Sequence, residues 1–205
     1  QDTTVCIYGN CEGPVEIEVN ATDDCTEELF YKWRIDYDLD GIYDDQGIGN
    51  KISEIWEPGR YFVYWSVEDY CGNVAIEKYF INVEDCKEPT PYCLSGIATA
   101  IMPQGGEVEL WALDYDNGSF DNCTATNELK FSFSKDTLDT SFLVTCEQMG
   151  NGQQQIIPLK VWVTDDAGNQ DFCSVEIKVN DNFDVCPDSD IGFVDVGGEI
   201  IAYQN

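Results

Sequence analysis

Apolar and polar residues alternate along most of this chain. Clear examples are residues 15–19, 108–111 and 175–179, where aliphatic side chains alternate with Glu or Lys. A period of two places every second side chain on the same face of a β-strand, so one face of each strand is buried. Clusters of Asp, Asn and Gly separate these segments and are typical of turns. The pattern predicts an all-β protein with no helix longer than about one turn.

The chain also contains an internal repeat. An Asp/Asn-Cys-Thr triplet occurs at residues 24–26 and again at 122–124. Each triplet precedes a strand–turn–strand motif, and Cys25 lies 44 positions before Asp69 while Cys123 lies 42 positions before Asp165. One sandwich of β-strands takes about 100 residues. The 205 residues of this chain therefore predict two tandem β-sandwiches in the same register.

We place the first module at residues 1–88, the second at 89–186, and a C-terminal strand or tail at 187–205. The boundary rests on Pro89 and Pro91, because proline cannot continue a central strand. The segment 191–203 has the apolar character of a strand without a sheet of its own. It is the first strand of a third module, a donor strand that completes a neighbouring subunit, or an edge strand of the second sandwich.

Charge narrows the possible partners. Forty acidic residues against ten basic ones leave a net charge of −30. Binding to nucleic acid needs Lys and Arg for the phosphates, and an anionic membrane surface repels such a chain. No segment approaches the ~20 apolar residues of a membrane-spanning helix. The acids form a solubilising surface, or some of them are neutralised by bound divalent cations.

The ten cysteines indicate an oxidising compartment. The count is even and high, there is no histidine, and no Cys-x-x-Cys pair that would favour zinc is present. This usage is typical of disulfides in extracellular proteins. A chain that starts at Gln1 suits a processed N-terminus or a fragment of a longer protein.

Several motifs together resemble a known family. They are the two Asp/Asn-Cys-Thr triplets, the Trp-x-Val-x-Asp-x-x-Gly-Asn hairpin at residues 65–73, and the linker at residues 84–93. They resemble tandem hyalin-repeat-like modules, which are immunoglobulin-like β-sandwiches of large secreted or surface proteins of Bacteroidetes-type bacteria. The similarity covers residues 12–186. It implies a location outside the cell and a role in adhesion or scaffolding, without catalysis.

The same resemblance guides the expected disulfides. Many such modules carry a Cys on the last strand, as Cys173 does in the second copy, but the first copy lacks its counterpart. The recurring Asp-Cys turn and Cys-Gly-Asn hairpin imply one disulfide in the first module, and Cys6 with Cys11 would close a short local loop. In the second module one pair is expected near the Cys triplet and another across the first and last strands. The expected pairs are Cys25–Cys71, Cys123–Cys146, Cys93–Cys173 and Cys6–Cys11, with Cys86 and Cys186 unassigned.

The clearest candidate site is the acidic segment 36–45. Carboxylates at alternate positions, a glycine and two further acids can surround one cation with oxygen ligands, as in the first half of a calcium loop. Position twelve is Gly47 instead of the usual Glu, so the last acids would have to close the shell. The alternative is a solvated acidic hairpin. The predicted calcium ligands are Asp36, Asp38, Asp40, Asp44 and Asp45.

A second acidic segment is a weaker candidate. Asp114, Asp116 and Asp121 flank a Gly-Ser turn, and they are either metal ligands or only turn residues. A third possible metal site is Asp69, or Asp165 with Asp166, at the hairpins. A turn in which the Asp side chain accepts backbone hydrogen bonds is the more common structure there.

Glycosylation sequons are present as well. Asn20, Asn117 and Asn122 lie in Asn-x-Ser/Thr triplets. The resemblance to bacterial surface proteins implies O-linked sugar on Thr in an Asp-Thr-apolar context. Thr137 fits this pattern, and Thr3 fits it loosely.

We therefore expect an extracellular structural or adhesive module of a bacterial surface protein, stalk or filament, stabilised by disulfides and calcium. Without histidine no Ser-His or Cys-His pair exists, so an enzyme is not expected. The expected partners are other copies or modules of the same protein, including by strand donation, and glycans. The alternative is a carbohydrate-binding accessory module that uses Trp56, Trp65 or Trp111, although the last two alternate with acids and favour the core.

Overall fold

A computed structural model describes residues 2–24, 26–150, 153–186, 191–196 and 199–204. The chain divides into two compact units, Gln1–Lys87 and Glu88–Asn205. Strands dominate both units, and the described helices are limited to a single turn each. The predicted all-β fold is confirmed. Over the part of the chain that can be described, no helix has the length and apolar character to span a membrane.

The first unit is a sandwich of seven strands. Five of them form a sheet in the order β1-β7-β6-β3-β4, and β2 pairs with β5 in a second sheet. β1 runs parallel to β7, and the other neighbours are antiparallel. The strands are β1 Thr3–Ile7, β2 Gly13–Glu18, β3 Phe30–Asp36, β4 Asp45–Ile48, β5 Lys51–Trp56, β6 Gly59–Glu68 and β7 Val74–Asp85.

The core of the first unit follows directly from the alternation. Inward residues of the two sheets, such as Val15, Ile52, Val63 and Trp65, are almost fully buried and pack in one cluster. The indole of Trp65 donates a hydrogen bond to the Tyr79 hydroxyl at 3.1 Å, which satisfies its only polar atom. Large apolar side chains from both sheets thus form the layer that holds the sandwich together.

The second unit repeats this arrangement. Its larger sheet has the order β10-β12-β13-β8, its smaller sheet pairs β9 with β11, and β8 runs parallel to β13. The elements are β8 Ile97–Ile101, β9 Glu107–Trp111, a 3₁₀ turn Ala112–Tyr115, β10 Lys130–Ser132, β11 Ser141–Thr145, α1 Cys146–Met149, β12 Gln154–Thr164 and β13 Gln170–Asn180. The core includes Met102, Leu110, Val161, Val163 and Ile177.

The hairpins at the two repeat motifs are nearly identical. The Asp69 carboxylate accepts hydrogen bonds from the backbone N–H of Asn73 at 2.7 Å and from its side-chain amide at 2.6 Å. Asp165 accepts the same pair from Asn169 at 2.7 and 2.8 Å. The hydrogen bond from the Asn73 amide lowers the pKa of Asp69. Both aspartates therefore organise a turn, which is the more common of the two structures expected for this motif.

The C-terminal segment contributes two short strands. β14 Ile191–Val196 and β15 Glu199–Gln204 pair with each other as an antiparallel hairpin. Among the described residues, the two strands form a separate two-stranded sheet. Strand donation to a neighbouring subunit stays a prediction.

The disulfides differ from most of the expected pairs. Cys93 is joined to Cys173, which is the pair expected across the first and last strands of the second module. Cys6, however, is joined to Cys86, so the expected pair Cys6–Cys11 is wrong. The reason is the parallel pairing of β1 with β7, which brings the two cysteines to a Cα–Cα distance of 5.4 Å.

Two further expected pairs are wrong. Cys146 at the start of α1 is joined to Cys186, with Cα atoms 5.1 Å apart, so it does not pair with Cys123. Cys11 and Cys123 each take part in a disulfide. Cys71 is an exposed free thiol, so the Cys25–Cys71 pair is not formed, and Cys25 lies outside the described residues.

Candidate metal centre

The acidic segment forms the loop between β3 and β4. The last cross-strand pair before the loop is Ile35 with Asp45. The backbone N–H of Asp44 donates to the carbonyl of Ile35 at 2.8 Å, which closes the loop at its base. Leu39 and Gly41 adopt positive φ angles of 61° and 89°, so the chain curls back on itself within a few residues. The β-hairpin thus presents its acids in one tight loop.

Asp36 is the buried member of this loop. Its side chain is only 4% exposed because it closes the end of β3 beneath the loop. One carboxylate oxygen, Oδ2, accepts a hydrogen bond from the Gly41 N–H at 2.9 Å. The other oxygen, Oδ1, is buried and has no hydrogen-bond partner among the described residues. A buried carboxylate oxygen without a hydrogen-bond partner lowers the stability of the fold unless a cation or a water molecule binds to it.

Asp38 and Asp40 bring two more carboxylates to Asp36. Each of the three residues offers an oxygen, and these oxygens lie within 4.8 Å of one another. One oxygen of Asp38 accepts the Asp40 N–H at 3.1 Å, and one oxygen of Asp40 accepts the Ile42 N–H at 2.7 Å. These bonds hold the two side chains in place. Because both residues are exposed, their group is open to an ion from solvent.

The last two predicted ligands do not join this group. The Asp44 carboxylate accepts the Tyr37 N–H at 2.7 Å, and the Asp45 carboxylate accepts the Gln46 N–H at 2.7 Å. They stabilise the turn and the start of β4 instead. The site therefore offers three carboxylates, and backbone carbonyls or waters would have to supply the remaining oxygens. Calcium, which takes six to eight oxygen ligands in flexible geometry, suits such a set.

Tyr37 forms the floor beside the loop. Its hydroxyl donates to Glu54 at 2.8 Å, and its ring packs edge-on against Trp56 and Tyr61. Burial, reinforced by the neighbouring Glu54 carboxylate, raises the pKa of Tyr37. The phenol stays protonated at neutral pH, so it anchors the loop to the core and adds no charge to the site.

The second predicted segment is dispersed. Asp114 lies exposed in the 3₁₀ turn, and the Asp116 carboxylate accepts the N–H groups of Gly118 and Ser119. Of its three acids, Asp121 is the one that approaches another acid among the described residues, since one of its carboxylate oxygens lies within 4.8 Å of one from Asp165. The sequence favoured a turn at Asp165 and offered a metal site there only as the alternative, paired with Asp166 and not with Asp121. The nearly equal spacing of the Cys triplet and the hairpin in the two repeats was the available signal for this proximity.

The glycosylation candidates occupy different surroundings. Asn20, Asn117 and Thr3 are exposed, whereas Asn122 and Thr137 are half-buried. Modification at any of these positions stays a prediction.

No family model matches this chain, and no curated protein sequence matches it. Solved structures do match. The SGBP-B protein of a Bacteroides ovatus mixed-linkage glucan utilization locus, solved in complex with a mixed-linkage heptasaccharide, is 13% identical with a TM-score of 0.32, over 86% of this chain and 42% of that one. Drosophila N-cadherin EC1-4 is 10% identical with a TM-score of 0.40, over 88% and 47%. Fibronectin(III)-like modules of Clostridium thermocellum CbhA are 9% identical with a TM-score of 0.31, over 88% of both chains.

All three TM-scores are 0.40 or lower, and the all-β fold described above rests on the strands of this chain itself. The chain spans less than half the length of the first two. Neither a family model nor a related sequence supports the narrower hyalin-repeat-like assignment.

Proposed function

We propose that this chain is an extracellular structural and adhesive module of a bacterial surface protein, such as a stalk or filament, whose first sandwich binds calcium in the β3–β4 loop. The observation that carries the calcium proposal is the buried Oδ1 of Asp36, which has no partner among the described residues and lies in a group with Asp38 and Asp40. A divalent cation would satisfy that oxygen and offset the repulsion among three carboxylates.

The disulfides support the extracellular location. Eight of the nine cysteines that the structure describes are disulfide-bonded. Disulfides at this density persist in oxidising environments and are rare in the cytosol of mesophiles. They close long loops, since Cys6 and Cys86 are 80 positions apart, so they restrict unfolding of a module exposed to mechanical load or proteases.

Calcium is expected to stabilise the first sandwich. In calorimetric melting of the full chain, the melting temperature of the first sandwich should rise with calcium and fall with a chelator. The free energy of unfolding should increase by about 2.7 kcal/mol when free calcium is 100 times its Kd. Asp38→Asn should weaken calcium binding, measured by titration calorimetry, at least about tenfold, because it removes one ligand charge but keeps the hydrogen bond to Asp40.

The matched control is Asp45→Asn. It removes the same charge from the same loop, but Asp45 lies outside the group of three, so calcium affinity should stay within about twofold of the wild type. A melting temperature unaffected by chelation from about pH 6 to 8 would show that the loop is only an acidic turn. Equal losses in both variants would place the ion elsewhere in the loop.

A second candidate function is carbohydrate binding, and Trp111 is the residue that favours it. Trp56 and Trp65 are buried, so neither can stack on a sugar. Trp111 is 47% exposed, contrary to the core position that its alternation favoured. It lines a depression of about 500 Å³ with Leu113, Lys130 and neighbouring residues. On a glycan array, a specific signal that Trp111→Ala abolishes and Leu143→Ala leaves intact would support this function, whereas no signal would eliminate it.

A further inference from the structure

The few basic residues of this acidic chain are gathered on one side of each sandwich. In Gln1–Lys87, four of the six basic residues point outward from the five-stranded sheet, on β3, β6 and β7. Their alternation with buried residues such as Ile35 and Val63 places them on the solvent side. We call this surface the first basic face; it consists of Lys32, Arg34, Arg60 and Lys78.

Aromatic rings lie between these cations. Tyr64 sits between Arg34 and Lys78, whose charged groups are 5.8 and 5.3 Å from the ring centroid. Arg60 lies over Phe80 at 4.0 Å. Arg34, Arg60 and Lys78 thus each cover a ring, and the rows of cations and rings run across neighbouring strands.

The second sandwich has the same kind of surface. Lys160 lies over Phe172 at 4.0 Å, and Lys135 lies over Trp162 at 5.1 Å. Lys178 shares the outward face of β13. Three of the four basic residues of Glu88–Asn205 therefore form a second basic face. The residues are not at equivalent repeat positions, so the two copies arrive at this surface with different side chains.

Most of these cations form no salt bridge among the described residues. Acids outnumber bases four to one in the sequence. In the described part of the chain, salt bridges within 4.0 Å pair Lys32 with Glu68 and Arg60 with Asp2. The same criterion gives no salt bridge for five others: Arg34, Lys78, Lys135, Lys160 and Lys178. These five cations therefore have no ion pair with the described acids of their own chain and are available to the acids of a partner, although Glu176 also lies on the outward side of β13, two positions before Lys178.

The opposite sheet of each sandwich carries exposed acids. β9 presents Glu107 and Glu109 outward, beside exposed Trp111 and Leu143. In the first sandwich, β2 and β5 present the matching surface, although one of its acids is neutralised by a lysine. We call these surfaces the acidic faces; they include Glu16, Glu18 and Ile55 in the first sandwich and Glu107, Glu109, Trp111 and Leu143 in the second.

We propose that a basic face of one copy of this chain docks side by side on an acidic face of the next copy. Opposite charges meet across such a contact, and the exposed apolar residues of both faces supply area to bury. The contact joins two different surfaces, so it leaves a free basic and a free acidic face on every pair and extends to rows of copies. It deepens the proposed structural role by naming the partner, but it does not require calcium.

The charge of the whole chain does not prevent this contact. At physiological salt, charges more than about 8 Å apart are largely screened, so the facing groups dominate. The cation-covered rings also favour a protein partner over a neutral sugar, because the exposed side of each ring is already occupied. An anionic polysaccharide is the competing ligand, and the experiment below includes it.

The test uses the full chain in sedimentation velocity over a concentration series. The wild type should associate, at least about tenfold more weakly in 0.5 M than in 0.05 M NaCl. A basic-face variant, Arg34→Glu/Lys78→Glu/Lys160→Glu/Lys178→Glu, and an acidic-face variant, Glu18→Lys/Glu107→Lys/Glu109→Lys, should each lose association by a similar factor. An equimolar mixture of the two should recover it, because one offers only acidic faces and the other only basic ones.

A matched control reverses three exposed acids on loops, Glu12→Lys/Glu28→Lys/Glu128→Lys, and should associate like the wild type. A wild-type Kd above about 1 mM, or a mixture that stays monomeric, overturns the proposal. Binding of heparin that the basic-face variant loses, without self-association, assigns the face to an anionic glycan instead. If deletion of residues 191–205 abolishes association and the charge-reversal variants do not, the association is due to strand donation. Repeating the series with a chelator separates this result from failure of the calcium site.

Discussion

Replacing Trp65 by alanine is expected to destabilise the first sandwich by about 3–5 kcal/mol. The indole is 1% exposed and packs in the centre of the core between the two sheets. Its removal leaves a cavity, forfeits the burial of a large ring, and leaves the Tyr79 hydroxyl without the hydrogen bond that Trp65 donates. A loss of this size is a large part of the stability of a small domain, so much of the first unit should be unfolded at 37 °C.

The effect can be measured by urea denaturation and by hydrogen exchange of peptides from each unit. Exchange should accelerate across Gln1–Lys87 and much less across Glu88–Asn205. Trp111→Ala is the matched control, because the same side chain is 47% exposed there and its truncation should cost about 1.5 kcal/mol or less. Equal losses for the two variants would show that Trp65 does not lie in the core.

Removing the Cys93–Cys173 disulfide is expected to destabilise the second sandwich by up to about 4–5 kcal/mol. The bridge joins residues 80 positions apart, so it removes a large loop-closure entropy from the unfolded chain. It also joins the segment before β8 to β13, the strand of the larger sheet that comes last along the chain. The double variant Cys93→Ala/Cys173→Ala avoids leaving an unpaired thiol that could form wrong disulfides.

Cys71→Ala is the control for this variant. Cys71 is an exposed free thiol at a hairpin tip, so its replacement should change the free energy of unfolding by about 0.5 kcal/mol or less. Denaturation under non-reducing conditions compares the two proteins directly. If the double variant were as stable as the control, the bridge would contribute nothing, and the entropy estimate would be wrong for this domain.

The strands could be predicted from the sequence because burial of one sheet face imposes a period of two. Residues 175–179 alternate in the sequence, and Val175, Ile177 and Val179 are buried in the structure as that pattern requires. The hairpins could be recognised for a related reason. An Asp and an Asn four positions apart with a Gly between them form the same local hydrogen bonds at Asp69 and Asp165, and local bonds depend on local sequence.

The cysteine pairs could not be predicted in the same way. Cys6 and Cys11 are close in the sequence, but Cys6 lies in a strand that runs parallel to β7 and therefore meets Cys86. Parallel pairing joins segments that are far apart along the chain, and sequence spacing contains no record of it. Cys93–Cys173 was accessible only because the first and last strands of such sandwiches are often neighbours.

For the candidate metal centre, the sequence alone determined which acids alternate and that a glycine follows them, since these are local properties of residues 36–41. Only the tertiary structure decided that Asp36 is buried with an unpartnered oxygen among the described residues, and that Asp44 and Asp45 turn to the backbone. The gathering of scattered bases on one face of each sheet was likewise decided there. Strand order and register bring residues together that are distant in the sequence, and the local alternation of apolar and polar residues predicts neither of them.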